Sequence, residues 1–372
     1  LPEGLEPVGL LLITDVIRAE APDTLAYFES QGVDLKVISG DDPVTVSAIA
    51  KKAGLENADK YIDATTITTP EDMERAVAEC SVFGRVTPQQ KKEMVLALQK
   101  QKHTVAMTGD GVNDAPALKQ ADIGFAMGDG TAVAQEAGDV VILNNSLTSI
   151  KDCVLNSRTM AKSVGKFLIF QLTVNISTLL MNIIAPILGW TEPFSIVQIL
   201  WINLIMDTLA AMAFGGEPIL DRYMKDQPAK RTDNILTPYI KSAIGVSAIF
   251  ITLGSILILE NIGGITSWVI PAGCADPELY EKTFMFAFFI YAIIFNSLNT
   301  RSEKFNLFEH IGENKNFVLV MGAIFVLQTI IIEIGGKVFN TTLLEPKALL
   351  VSMVLAVLII PVDLIRKAIM SR

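Results

Sequence analysis

The stretch TGDGVNDAPALK, residues 108–119, sets two carboxylates (Asp110, Asp114) and one amide (Asn113) in a turn hinged on Gly109 and Gly111. It follows a short apolar run, HTVAM, that reads as a strand. A Gly-Asp step after a strand is ordinarily turn chemistry alone. Two carboxylates and an amide in one glycine-spaced turn exceed what a turn requires. They form an oxygen donor set suited to a hard cation such as magnesium.

Outward from this loop, residues 1–150 alternate strand-like and helix-like runs. EPVGLLLITD (6–15), VDLKVISGDD (33–42), CSVFGRVTP (80–88), HTVAMTGDG (103–111), ADIGFAMGDG (121–130) and AGDVVIL (137–143) read as strands with their turns. APDTLAYFESQG (21–32), closed by Gly32, and PVTVSAIAKKAG (43–54), capped by Gly54, read as helices, as does a segment from about Gln89 to Lys102. The stretch before Cys80 reads as a loop. This alternation predicts parallel strands joined by crossover helices, an α/β doubly wound sheet. In such sheets ligands sit at the carboxyl ends of the strands, where Ser39, Gly40, Asp41, Lys91 and Asp110 all fall. A hydroxyl and backbone amides at Ser39-Gly40 can cradle phosphate oxygens. Lys91 can offset developing negative charge, and Asp110 with Asp114 can hold magnesium. The combination suits phosphoryl transfer, although Lys91 taken alone reads equally as a solvated helix residue.

The rest of the chain has another character. Half of the 372 residues are hydrophobic (51%), and from about residue 165 long apolar runs dominate. A membrane span needs about 20 mainly apolar residues, and six candidates lie at 164–188, 194–215, 239–260, 283–300, 316–335 and 346–366. The fourth is short, and Glu333 is expected at an interface near the end of the fifth. Basic residues crowd the segments 221–234 and 300–316 and the C-terminal tail, which six spans place on the side of the N-terminus, the cytosolic side by the positive-inside rule. A net charge of −10 argues against a nucleic-acid partner. Cys80, Cys153 and Cys274 make neither a disulfide framework nor a zinc spacing, and two histidines are too few for a histidine metal site. No signal peptide opens the sequence, which again favours a cytosolic N-terminal domain.

Polar residues inside spans are costly unless they pair or function. Gln171 and Asn175 stand four apart in the first span, as do Asn203 and Asp207 in the second, and Asp207 is the acidic residue deep inside it. Residues four apart share a helix face. A carboxylate with amides suits a hard cation such as calcium; a structural hydrogen bond between helices is the alternative, above all for Asn175.

The run TGDGVNDAPALKQADIGFAMG resembles the hinge segment of the phosphorylation domain of P-type ATPases, a haloacid-dehalogenase-like fold. DVIRAEAPDTL, VISGDDPVTVSAIAKKAG and VFGRVTPQQKK match that family in order and spacing. The resemblance implies that Asp110 and Asp114 are magnesium-side carboxylates, that Asn113 helps position the phosphate and that Lys91 contacts the aspartyl phosphate. Ser39, Gly40 and Asp41 stand where the family has Thr-Gly-Asp. Asp15 and Arg18 fall in its Asp-Pro-Pro-Arg segment, here Asp-Val-Ile-Arg, and with Arg85 lie on the cofactor (ATP) side. QLTVN and QILWINLIMDTLAAMAFGGEP resemble the fifth and sixth membrane helices of calcium pumps, above all the plasma-membrane type, which makes Asn175, Asn203 and Asp207 calcium ligands. Thr178, Met206 and Ile293 replace ligands of the two-site pumps, implying one calcium per cycle.

The family's phosphorylated Asp-Lys-Thr-Gly-Thr motif does not occur in this sequence. LPEGL at residues 1–5 is read as the lead-in to a strand rather than as part of a membrane helix. The expected organisation is therefore the end of a phosphorylation domain (1–150), a stalk (151–163) and a six-helix transmembrane domain (164–372), equivalent to membrane helices five to ten, in the plasma membrane. The missing N-terminal part of the pump would carry the nucleophile and the ATP site, so the chain alone is expected to be inactive. The alternatives are a pump for manganese, sodium or protons, or a truncated membrane ion-binding module.

Overall fold

In the computed structural model the described residues are 16–190, 192–226 and 234–370, and they form two compact units, the first reaching to Leu155 and including Lys225 and Asp226, the second made of the rest. The strand expected at 6–15, with Asp15, and the LPEGL segment lie outside the described residues.

The first unit is α/β. In order it runs α1 (Ala21–Ser30), β1 (Val37–Ile38), α2 (Pro43–Lys52), β2 (Tyr61–Asp63), α3 (Pro70–Glu79), β3 (Val82–Gly84), α4 (Pro88–Lys100), β4 (Ala106–Gly109), α5 (Ala115–Gln120), β5 (Ile123–Met127), α6 (Ala132–Ala137) and β6 (Val140–Ile142). Among the described residues every strand pairing is parallel, in two three-stranded sheets ordered β1-β3-β2 and β4-β5-β6. Strand–helix alternation is thus borne out. Gly32 and Gly54 adopt the left-handed conformation (φ 74° and 88°) just beyond α1 and α2, as their placement predicted. Between residues 55 and 79, where the sequence suggested a loop, lie β2 and α3. Helix α3 is held by a reciprocal cap in which Asp72 N donates to Thr69 Oγ1 (3.1 Å) and Thr69 N to Asp72 Oδ2 (3.3 Å). The central strand β3 is fully buried, and Phe83 packs with Met73, Val77 and Met94.

The second unit is helical. Among the described residues six helices are long and apolar enough to cross a membrane: α7 (Leu147–Ile187), α8 (Ile196–Gly215), α9 (Pro238–Leu259), α10 (Pro277–Arg301), α11 (Lys315–Ile334) and α12 (Pro346–Met370). Helix α7 begins within the first unit and runs on through the stretch read as a stalk. Helix α10, expected to be short, has 25 residues and is the centre of the bundle: 89% of its most apolar window is buried, against 28–44% for the other five. Its Phe284, Phe286, Phe288, Phe289 and Tyr291 are all but inaccessible. Such a helix packs protein on every side.

Candidate functional site

The carboxyl end of the first sheet is built by backbone pairing that outlasts the strands. Ser39 N donates to Phe83 O (2.9 Å), Val86 N to Ser39 O (3.0 Å) and Arg85 N to Asp41 O (2.8 Å). The turns after β1 and β3 are therefore held side by side. Gly84 permits this approach, because a Cβ there would lie 2.4 Å from Pro43 Cα. Within the turn, Ser39 Oγ accepts from Asp41 N and donates to Asp41 Oδ2, both at 3.2 Å, while Gly40 and Asp41 face solvent. Asp42 caps α2 by accepting from Val44 N (3.0 Å). Arg85, in left-handed backbone (φ 55°), reaches Asp63 at 2.9 Å and Asp42 at 2.8 Å. Its guanidinium ties the ends of three strands together.

The second sheet presents the acidic loop. Strand β4 ends at Gly109, where a Cβ would meet Asp114 Cβ at 2.5 Å; only glycine leaves room for that side chain. Asp114 is buried and fully engaged. Its Oδ2 accepts from Gly111 N (3.1 Å) and Asp110 N (3.3 Å), and its Oδ1 lies 2.6 Å from Lys91 Nζ. Lys91 comes from the first turn of α4, whose start is fixed by Thr87 and Gln90 in a second reciprocal cap. Both members of the ion pair are largely withdrawn from water, with 14% and 10% of their side chains exposed. The Gly128-Asp129-Gly130 turn braces the loop from outside: Thr131 N donates to Asp110 O at 2.8 Å, and a Cβ on Gly130 would lie 2.8 Å from the same oxygen.

The expected magnesium pair thus splits into two roles. Asp114 spends its carboxylate on Lys91 and on the loop amides. The Asp110 carboxylate is exposed and, among the described residues, has no partner. Magnesium is bound through one or two carboxylates with phosphate oxygens and water completing its shell, so a free Asp110 beside a fixed ammonium fits that ion. Asn113 is also exposed in this loop, and Arg18 lies exposed in the turn before α1. Among the described residues no hydrogen bond links the Ser39 turn to the Asp110 loop. Lys91, Asp110 and Asp114 are the residues brought together.

In the helical unit Gln171 and Asn175 are half-buried on α7. In α8 the segment Trp201–Met206 is a π-helical turn, a local widening often found at functional sites. Asn203 within it is exposed, whereas Asp207 just after it is 5% exposed and its Oδ1 has no hydrogen-bond partner among the described residues. The four-residue spacing therefore does not give these two groups one environment. Asn203 sits with the exposed Leu200, Leu204 and Ile205, while Asp207 joins the row of buried Ala210 and Phe214.

Sequence reasoning missed a charged junction nearby. Glu217 binds Lys166 of α7, Arg301 Nε of α10 at 3.0 Å and Asn314 Nδ2 at 2.9 Å, all of them buried. Asp363, Arg366 and Lys367 form another cluster on α12, with contacts of 2.6 and 3.0 Å. Lys166, Asp363 and Arg366, charges inside the expected span limits, were the available signal, whereas Glu217, Arg301 and Lys367 fall just beyond those limits.

Comparison with known proteins accounts for both units. The family model described as haloacid dehalogenase-like hydrolase matches residues 2–122, and the one described as cation transporting ATPase, C-terminus, matches residues 191–369. Calcium-transporting ATPase 5, plasma membrane-type, of Oryza sativa subsp. japonica is 34% identical over 380 residues, covering 99% of this chain and 35% of the relative. Calcium-transporting ATPase 8, plasma membrane-type, of Arabidopsis thaliana gives the same identity and coverage over 384 residues. Calcium-transporting ATPase 2 of Schizosaccharomyces pombe is 34% identical over 95% of this chain and 28% of its own length. The chain belongs to the cation-transporting P-type ATPases. It spans about a third of the length of these relatives. Membership of this family and the six apolar helices make it an integral membrane protein.

Proposed function

We propose that the chain is the C-terminal part of an ATP-driven pump that exports calcium from the cytosol through an aspartyl-phosphate intermediate, one calcium per cycle. The observation that carries this reading is the free Asp110 carboxylate beside the buried Lys91–Asp114 pair, on a loop that a phosphorylation domain of this family uses. The nucleophilic aspartate and the nucleotide site belong to upstream sequence. Magnesium held on Asp110 would offset the charge of the transferred phosphoryl group. Lys91, fixed by Asp114, supplies a positioned ammonium that need not reorganise during transfer. Ser39 and the amides of its turn bind the phosphate, and Asn113 orients it.

In the helical unit Asp207 is the central calcium ligand. A buried carboxylate oxygen without a partner is what a cation site leaves behind when the cation is taken away. Asn175 and Asn203 add amide oxygens, and the exposed side of Asn203 is available to ligands from upstream helices. The start of α7 and the C-terminus lie on the cytosolic side of a plasma membrane.

The test is ATP-dependent uptake of radiolabelled calcium into membrane vesicles carrying the pump with its upstream part. Asp110→Asn should abolish phosphoenzyme formation, and Asp207→Asn should abolish calcium uptake. Uptake that survives Asp207→Asn, or a pump that moves manganese or sodium in preference to calcium, overturns the assignment.

A further inference from the structure

At the end of the helical bundle where α8, α10 and α12 begin lies a cavity of about 560 Å³. This falls in the size range of small-molecule sites. Its wall is mainly apolar, with Pro271, Leu344 and Leu349 prominent, and it also carries two carboxylates, Glu333 and Glu345. Tyr280 stands between these chemistries: its hydroxyl accepts from Glu345 N at 3.1 Å and keeps its own proton to donate.

Neither carboxylate has an ion-pair partner among the described residues. The basic side chains of this end are engaged elsewhere or lie outside the cavity. Lys282 pairs with Glu278 at 2.8 Å; Lys347 donates to Trp268 O at 2.6 Å and sits 3.9 Å from the centre of its ring; Lys337 is exposed and does not line the cavity. Glu333 is half-buried and occupies the last turn of α11. A helix C-terminus carries partial negative charge and disfavours a carboxylate there. For Glu333 the helix end, the missing counter-charge and the partial burial favour a positive ligand, and the exposed Glu345 adds a second carboxylate on the same wall.

The wall decides which kind. Calcium takes six to eight oxygen ligands, whereas the side chains lining this cavity offer two carboxylates and two hydroxyls in a mainly apolar wall. A phosphate-bearing headgroup would bring negative charge to a cavity lined by two carboxylates and no cation. An alkyl chain ending in an ammonium satisfies both surfaces, with its charge on the carboxylates and its carbons against the prolines and leucines. We propose that this cavity is a binding site for an amphipathic aliphatic amine, its ammonium held by Glu333 and Glu345. The site is independent of the pump reading.

The test uses the full chain in phosphatidylcholine nanodiscs, with hexylammonium as probe, by isothermal titration after subtraction of empty discs. Saturable binding is expected, weakened about tenfold or more in Glu333→Gln by loss of a partly desolvated ion pair and to a lesser degree in Glu345→Gln. Hexanol, of the same length and uncharged, should neither bind saturably nor compete. Equal competition by hexanol, wild-type affinity in both variants, or no saturable binding of hexylammonium overturns the proposal. Glu345 is exposed and its replacement leaves the helix packing intact, so a folding failure of Glu333→Gln still leaves a decisive variant.

Discussion

Asp110 and Asp207 each leave carboxylate oxygen without a protein partner, and the two cases mean different things. Asp110 is exposed on a loop of the α/β unit, where water satisfies it at no cost. Asp207 is buried in a helix that can span a membrane, where an unsatisfied acceptor costs roughly 1–3 kcal/mol, and more if charged. The α/β unit places its candidate site residues by backbone turns and leaves Asp110 open. The helical unit neutralises the withdrawn side chains of Glu217 and Asp363 with cations, while the buried Asp207 Oδ1 has no partner among the described residues. An unpaired polar group is weak evidence in water and strong evidence in a bundle core.

The comparison can be broken first at Glu217. If internal neutralisation is what lets the helical unit bury charge, Glu217→Ala strands Lys166 and Arg301 and should cost about 3–5 kcal/mol. Thermal unfolding of the chain in nonionic detergent reads this, and a change below about 1 kcal/mol would make the junction ordinary surface pairing. Adding Lys166→Met to the same chain should recover part of the loss, because the two sites share one interaction.

The counterpart in the α/β unit is Lys91. Replacing it by Met leaves the buried Asp114 carboxylate with loop amides alone, a loss of about 1.5–3 kcal/mol for a hydrogen bond to a charged group. Hydrogen exchange at the Gly111 amide, which donates to Asp114, should accelerate. If exchange there is unchanged, the ion pair does not hold the loop.

How far these features could be read from sequence follows the range of the interactions. Helices α2 and α4 announce themselves locally, with Asp42 or Thr87 before a proline at the first helical position. Thr69-Pro70-Glu71-Asp72 carries the same signal for α3, and its neighbour hid it. Strand β2 has three residues, too few to show a period beside the polar run that follows. Helix α10 was expected to be short because apolar length measures exposure to lipid, whereas this helix is enclosed by protein and tolerates Asn296, Asn299 and Arg301. The acidic loop was legible as a motif, but the different surroundings of Asp110 and Asp114 depend on Lys91, 23 residues before Asp114. Partners of Glu217 lie 51, 84 and 97 residues away, a pairing that no local pattern encodes.

Two glycines of one loop sharpen the point at a smaller scale. A Cβ at Gly109 would collide with Asp114, whereas a Cβ at Gly111 would meet Asp114 Oδ2 at an ordinary 3.5 Å. Gly109→Ala should therefore cost about 1–3 kcal/mol by overpacking, while Gly111→Ala stays within about 0.5 kcal/mol. Comparing the thermal midpoints of the two variants checks it. Equal effects would mean that the loop yields as a whole and that Asp114 is not wedged against β4.

The smallest effect is a titration, and it separates an open carboxylate site from an enclosed one. Thr65 holds Asp63 Oδ1 through its hydroxyl (2.6 Å) and its amide (3.0 Å), and Arg85 lies 2.9 Å from Oδ2. These bonds, the Thr65 hydroxyl foremost, favour the ionised form and hold the Asp63 pKa below its ordinary value of 3.8. The folded value lies below the unfolded one, so Asp63 contributes stability above that ordinary value and loses it as pH falls through the depressed folded value. Thr65→Val should move the titration of Asp63 up toward 3.8 without changing its contact with Arg85. Carboxyl carbon shifts followed by NMR between pH 2 and 6, a window of roughly two units around the usual aspartate value, measure this directly. A titration that does not move would assign the depression to Arg85, and with it a stronger electrostatic role for the residue that ties the three strand ends together.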